Sequence, residues 1–245
     1  MWLQKERRSM SRSLFITGTG TDVGKTYVSG LILKKLREAG VSAAYYKAAM
    51  SGNSREKDGS LIPGDALYVK QTAGLEQPLE TMCPYVYESA VSPHLASRLE
   101  GNPVRMEVVR RGFEHLAERY SHITVEGSGG ICCPVAMGGE EIWMEDVIQA
   151  LAPVCLIVAD AGLGTINAVA LTAAYMKSRG IGAAGILLNH FHPNDVMEED
   201  NKRMCEYVTG LPVLACIEEG CSDLPMETET LLGLYRPSAG KADAR

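Results

Sequence analysis

The chain has 245 residues, 46 % of them hydrophobic and 22 % charged, with a formal net charge of −6. That length and mix suit one globular domain with a sizeable core, and the acidic balance argues against a nucleic-acid binder, which carries a basic face. Seven cysteines, at 83, 132, 133, 155, 205, 216 and 221, include no Cys-x-x-Cys pair and read as free thiols of a reducing compartment.

Residues 1–12 are polar with four basic side chains and no apolar segment of signal-peptide type. They are expected to form a flexible extension, and the protein is expected to be cytoplasmic with no membrane span. Leu14 to Thr17 reads as a short buried strand. Thr26 to Ala39 follows with apolar residues at 28, 31, 32, 33 and 36, a helical rhythm ended by Gly40. Val41 to Tyr46 reads as a second strand, residues 51–64 as a polar loop, and Asp65 to Thr72 as a helix. Pro93 opens a helix to Glu100, and Val104 to Tyr120 is amphipathic.

His122 to Glu126 is a strand running into Gly127-Ser128-Gly129-Gly130. A helical patch at 145–151 leads to a strand over 154–159, and Gly162-Leu163-Gly164 breaks the chain before a helix from Ile166 to Ser178. A strand at 181–189, a helix at 196–209 and a strand at 211–217 complete the pattern. Apolar runs alternating with helices predict one doubly wound α/β domain, residues 13–236, with a mostly parallel sheet. Residues 237–245 are expected to be a loose tail.

The chemistry begins at Gly18-Thr19-Gly20-Thr21-Asp22-Val23-Gly24-Lys25-Thr26, set between a strand and a helix. Glycines let successive N–H groups curl around a phosphate, and the helix N-terminus adds partial positive charge. Lys25 suits the β/γ-phosphates and the Thr26 hydroxyl suits Mg²⁺. The strict first-glycine position of the motif is Thr19, with glycine one residue earlier. The expected fold is P-loop NTPase-like, a Rossmann-like three-layer arrangement, and the expected reaction is nucleotide-dependent phosphoryl transfer.

Such an enzyme needs an acid at a strand end. Glu126 closes its strand at the sheet edge where α/β proteins bind ligands, with a solvated strand-end glutamate as the lesser alternative from the residue alone. Lys47 ends the second strand and could neutralise a transferring phosphoryl group or serve as a plain surface lysine. Asp65 begins a helix. Asp22 sits within the loop.

Together these segments resemble the dethiobiotin synthetase family. The resemblance is carried by Thr17 to Thr26, Tyr46-Lys47 with Ser51-Gly52, Gly64-Asp65-Ala66-Leu67 and Ser92-Pro93-His94. Val125-Glu126-Gly127-Ser128-Gly129-Gly130, Gly162-Leu163-Gly164-Thr165-Ile166-Asn167 and Leu187-Leu188-Asn189 extend it across residues 14–217. It implies ATP- and Mg²⁺-dependent ring closure of 7,8-diaminononanoate with CO2, through a carbamate and a carbamic–phosphoric anhydride, by a homodimer.

It further implies nucleotide contacts from Asp22, Val23, Gly24, Lys25, Thr26, Tyr27, Asp65, Glu126, Gly127, Ser128 and Gly129. Mg²⁺ would lie among Thr26, Asp65 and Glu126. Lys47, Lys25 and Thr21 would serve the reaction, Lys47 and Ser51 would hold the acceptor, and Asn189 would read the adenine edge. Gly164, Thr165 and Asn167 would meet the substrate's distal carboxylate near a dimer interface.

The chain departs from the family at Lys47-Ala48, where Lys-Pro is common, and at Ala215-Cys216-Ile217-Glu218, which replaces a Gly-x-Ile-Pro turn near the base. His94 is expected to be a structural partner, and Cys132-Cys133 to face the core or line a loop. Two other functions compete. A corrinoid-type amide ligase would need a glutaminase domain for which 245 residues leave no room. A partitioning-type regulatory ATPase would need an extra lysine where Thr17-Gly18-Thr19 stands.

Overall fold

The computed structural model describes residues 11–238. β1 (Arg12–Gly18) is the hub of the sheet. It leads into α1 (Lys25–Glu38), β2 (Ala43–Lys47), α2 (Gly64–Ala73), α3 (Pro93–Leu99), α4 (Met106–Ala117) and β3 (His122–Glu126). There follow a small hairpin of β4 (Pro134–Ala136) and β5 (Ile142–Trp143), then α5 (Met144–Leu151), β6 (Val154–Asp160) and α6 (Thr165–Ser178). The described chain closes with β7 (Gly182–Asn189), α7 (Val196–Thr209), β8 (Val213–Ile217), α8 (Thr228–Leu234) and β9 (Arg236–Pro237).

The strand order β2-β3-β1-β6-β7-β8 is parallel throughout, with β9 antiparallel to the start of β1. This is the predicted doubly wound, mostly parallel sheet between helical layers. Alternation along β1 divides the two cores: Leu14 and Ile16 pack under α1, α2 and α8, while Phe15 faces α4 to α7. All three are fully buried, and each such side chain contributes about 1.5–3 kcal/mol on leaving water. Helix ends follow local chemistry. Asp195 caps α7 by accepting from the Met197 and Glu198 N–H groups, and Gly210 ends it at φ 69°.

Four features differ from expectation. The hairpin of β4 and β5, with strands of three and two residues, is too short to show a period. α8 and β9 lie where no element was expected. β2 begins at Ala43 rather than Val41, and α4 begins at Met106 rather than Val104. The expected boundaries of extension and tail move outward, because Arg12 and Pro237 are register partners and the Ser238 N–H donates to the Ser11 carbonyl. The rest of the expected extension and tail, residues 1–10 and 239–245, lies outside the described residues.

Candidate active site

Two neighbouring strands end in opposite charges. Lys47 of β2 and Glu126 of β3 are register partners, and the period of two puts both on the face covered by α1 and α2. Lys47 is 5 % and Glu126 1 % exposed. The Lys47 ammonium donates to Glu126 Oε1 and to Asp65 Oδ2, each at 2.6 Å. Asp65 comes from the first turn of α2, where a carboxylate suits the helix N-terminus. From the first turn of α1, Thr26 Oγ1 donates to Glu126 Oε1 at 2.8 Å. Glu126 Oε2 accepts from the Tyr45 hydroxyl at 3.0 Å, so both carboxylate oxygens have partners.

Burial alone would pull the Lys47 ammonium down. Glu126 and then Asp65 outweigh it and hold the group above its ordinary value. Burial, aided by Glu126, pushes the Tyr45 phenol well up, so it stays a donor. Lys25 differs: burial first and Lys47 second lower its ammonium, against the weaker pull of Glu126 and Asp65.

The loop itself is built for an anion. Asp22 (φ 60°) and Gly24 (φ 91°) adopt left-handed conformations that curl the backbone. Among the described residues, no backbone N–H from Gly20 to Thr26 has a hydrogen-bond partner. Lys25 arches over the loop, donating to the Gly20 carbonyl at 2.7 Å. Gly24 is constrained twice, by its φ and by Asn189, whose Nδ2 lies 2.1 Å from where a Cβ would sit.

A cavity of about 440 Å³ is lined by Thr21, Asp22, Gly24, Lys25, Thr26, Lys47, Ser51, Asp65, Glu126, Ser128 and Gly129, with Met50. A larger one of about 930 Å³ shares Thr21, Asp22, Ser51, Ser128 and Gly129 with it. Its far wall includes Ile131, Cys132, Cys133 and, from α6, Leu171, Thr172 and Tyr175.

Most predicted site residues therefore meet around two joined cavities. Others stand elsewhere. Gly127 lies under Phe15, whose ring is 2.9 Å from a Cβ position. Tyr27 turns away to donate to the Cys221 carbonyl. Val23 lends its carbonyl to Asn189 Nδ2 at 3.2 Å. Asn189 is wholly buried, its Oδ1 without a partner. Gly164, Thr165 and Asn167 line neither cavity of their own chain. His94 pairs with Ser92 Oγ at 3.0 Å, as a structural partner would.

Sequence reasoning missed Tyr45 and the α6 wall. The first was accessible, since Tyr45 stands two residues before Lys47 and so shares its face. The second had no local signal. Among the described residues, no cluster of three or more His, Cys, Asp or Glu has metal-holding geometry. The expected Mg²⁺ set is instead a hydroxyl and two carboxylates, here bridged by an ammonium.

Residues 12–221 match the family described as AAA domain. The ATP-dependent dethiobiotin synthetase BioD of Clostridium botulinum (strain Langeland) is 43 % identical over 226 residues, spanning 92 % of this chain and 99 % of that protein. Its namesake in Brachyspira hyodysenteriae is 44 % identical over 212 residues, spanning 86 % and 94 %. Among solved structures, the MinC:MinD cell division complex of Aquifex aeolicus aligns with TM-score 0.54 at 14 % identity, covering 85 % of this chain and 82 % of that one. A ParA family ATPase from Chlorobium tepidum gives 0.50 at 14 %, covering 86 % and 84 %. Likeness at that identity concerns the fold alone, whereas the closeness and extent of the sequence matches concern the family. The chain belongs to the ATP-dependent dethiobiotin synthetase family.

Proposed function

We propose that this enzyme makes dethiobiotin from 7,8-diaminononanoate, CO2 and ATP through a carbamate and a carbamic–phosphoric anhydride. ATP-dependent dethiobiotin synthesis, a step of biotin biosynthesis, comes with the family; the route is our reading of the residues. One substrate amine adds to CO2 and loses a proton, giving a carbamate. A carbamate oxygen attacks the γ-phosphorus and ADP leaves. The second amine attacks the carbamoyl carbon, the C–O bond to phosphate breaks, and the ureido ring closes with loss of a proton.

Positioning and charge supply the catalysis. The single observation that carries this reading is the Lys47 ammonium, buried in the wall of the smaller cavity between Glu126 and Asp65. Held above its ordinary value, it stays cationic and can bridge carbamate and γ-phosphate. Lys25 and the free N–H groups of residues 20–26 would hold the β- and γ-phosphates, and Thr21 and Ser51 line the wall between phosphate and acceptor. The hydroxyl of Thr26 and the carboxylates of Asp65 and Glu126 are hard oxygen donors suited to Mg²⁺, which would neutralise charge on the phosphates.

Asn189 would accept from the adenine amino group with Oδ1, its one unused polar atom, once the atoms covering it shift. The enzyme would act as a homodimer in which the Gly164-Thr165-Asn167 turn of one copy meets the substrate carboxylate held by the other. Thr165, buried with an unpartnered Oγ1, and exposed Leu163 and Leu171 support that reading. No helix among the described residues is long and apolar enough to cross a membrane. All seven cysteines are free, in keeping with a cytoplasmic site.

Phosphate release from ATP is expected to require both the diamine and bicarbonate; release indifferent to the diamine would sink the proposal. Lys47→Gln, which keeps an amide donor beside Glu126 but loses the charge, is expected to cut turnover by about two to three orders of magnitude. Nucleotide binding should largely survive.

A further inference from the structure

Three residues at the ends of β6 and β7 form a chain of hydrogen bonds that ends on the phosphate loop. Asp160 and Asn189 are register partners in neighbouring strands. Between them stands His190, in a left-handed conformation at φ 54°. Its Nδ1 lies 2.8 Å from Asp160 Oδ2 and its Nε2 3.1 Å from Asn189 Nδ2. Asn189 Nδ2 also reaches the Val23 carbonyl at 3.2 Å. The family resemblance covers Asn189 but assigns nothing to Asp160 or His190.

The donor and acceptor roles follow from the end of the chain. A carboxylate can only accept, so His190 carries its proton on Nδ1 and offers the Nε2 lone pair to Asn189. That fixes the Asn189 amide: one N–H goes to His190, the other to Val23, and Oδ1 is left over. Burial would raise the Asp160 carboxyl, but hydrogen bonds from His190 and from the Gly162 N–H (2.8 Å, to Oδ1) outweigh it and hold it below the usual value.

We propose that Asp160 and His190 are positioning residues for the nucleotide, acting through Asn189 to set the orientation of the Val23–Gly24 peptide. In a trans peptide the C=O and N–H point opposite ways. Anchoring the Val23 carbonyl to Asn189 therefore turns the Gly24 N–H toward the cavity that Gly24 lines with Lys25 and Thr26. The absence of a side chain at Gly24 lets the Asn189 amide come close enough to do this. The brace thus organises the loop in advance of the phosphate.

The proposal rests on reading residues 18–26 as the nucleotide loop. Its test reads binding directly, so that a failure of dethiobiotin synthesis leaves it decidable. Mg-ATP, Mg-CTP and Mg-GTP are titrated into the full-length protein, and the KM for diaminononanoate is measured alongside. Asp160→Asn keeps the Oδ1 acceptor for Gly162 but presents an N–H to His190, reversing the ring tautomer so that two donors face each other at Asn189. It should weaken all three nucleotides by about three- to tenfold, the scale of one lost hydrogen bond. His190→Ala should do the same, while His190→Gln, with a carbonyl acceptor, recovers most of the loss. The KM for the diamine should not move. Both positions are about half exposed, so the variants should fold. Unchanged nucleotide binding overturns the proposal, as does a loss confined to ATP, which would assign Asn189 to the base alone. A His190→Gln variant as weak as His190→Ala overturns it too.

Discussion

The phosphate loop and the acceptor corner hold their lysines in opposite ways. Lys25 is buried with no carboxylate in contact, only the Gly20 carbonyl, and its charge is disfavoured. Lys47 is buried between two carboxylates, and its charge is favoured. The first region has bare N–H groups and an ammonium with no carboxylate beside it. In the second, two carboxylates hold one ammonium, which occupies the space between the oxygens that suit Mg²⁺. In our reading, phosphate binding relieves the first region, while cation binding frees Lys47 to turn toward the reacting group.

The largest expected break in this comparison is Lys47→Ala in the ligand-free protein. It strands the buried Glu126 carboxylate and should cost about 3–5 kcal/mol of stability, read as a large fall in Tm. Next is Gly24→Ala. A Cβ there meets the Asn189 amide and forces a non-glycine residue to φ 91°. The strain of about 1–3 kcal/mol should weaken nucleotide binding on the order of a hundredfold, measured by titration. The smallest effect has the opposite sign. Lys25→Met should raise the ligand-free Tm, by about 1 kcal/mol of stability, while destroying nucleotide binding. A fall in Tm would refute the contrast between the two lysines.

Their pH dependences should also diverge around the ordinary lysine value of 10.5. The folded value of Lys25 lies below it, so as pH falls from 10.5 the unfolded chain takes up a proton that the folded protein resists. Lys25 therefore costs stability toward neutral pH. The folded value of Lys47 lies above 10.5, so its contribution is complete below that pH and is lost as pH rises past it. Wild type minus Lys47→Ala should shrink in strong alkali, whereas the advantage of Lys25→Met should appear only below about 10.5.

How much of this was legible follows from the distance over which each feature is encoded. β1, the loop and α1 lie in one unbroken stretch, so glycine spacing and the helical period reveal them together. Lys47 and Glu126 were visible as strand ends, but their pairing required knowing that β2 and β3 are neighbours. Tyr45 was readable from the alternation of β2. The brace from Asp160 to Val23 was not, because it joins the ends of two strands to a loop more than a hundred residues away. The β4–β5 hairpin and β9 were hidden by brevity, since two or three residues show no period. The α6 wall was hidden because its cavity-facing residues are ordinary apolar and hydroxyl side chains.

The central place of β1 bears on how the chain is made. β1 is translated before the strands on either side of it, β3 and β6, and before Asn189, against which its loop is braced. A growing chain that already carries the whole glycine motif thus lacks the frame that shapes it. Nucleotide affinity should emerge late in synthesis, after residue 190 has cleared the ribosome, and ATP should bind poorly to nascent chains stalled before that point.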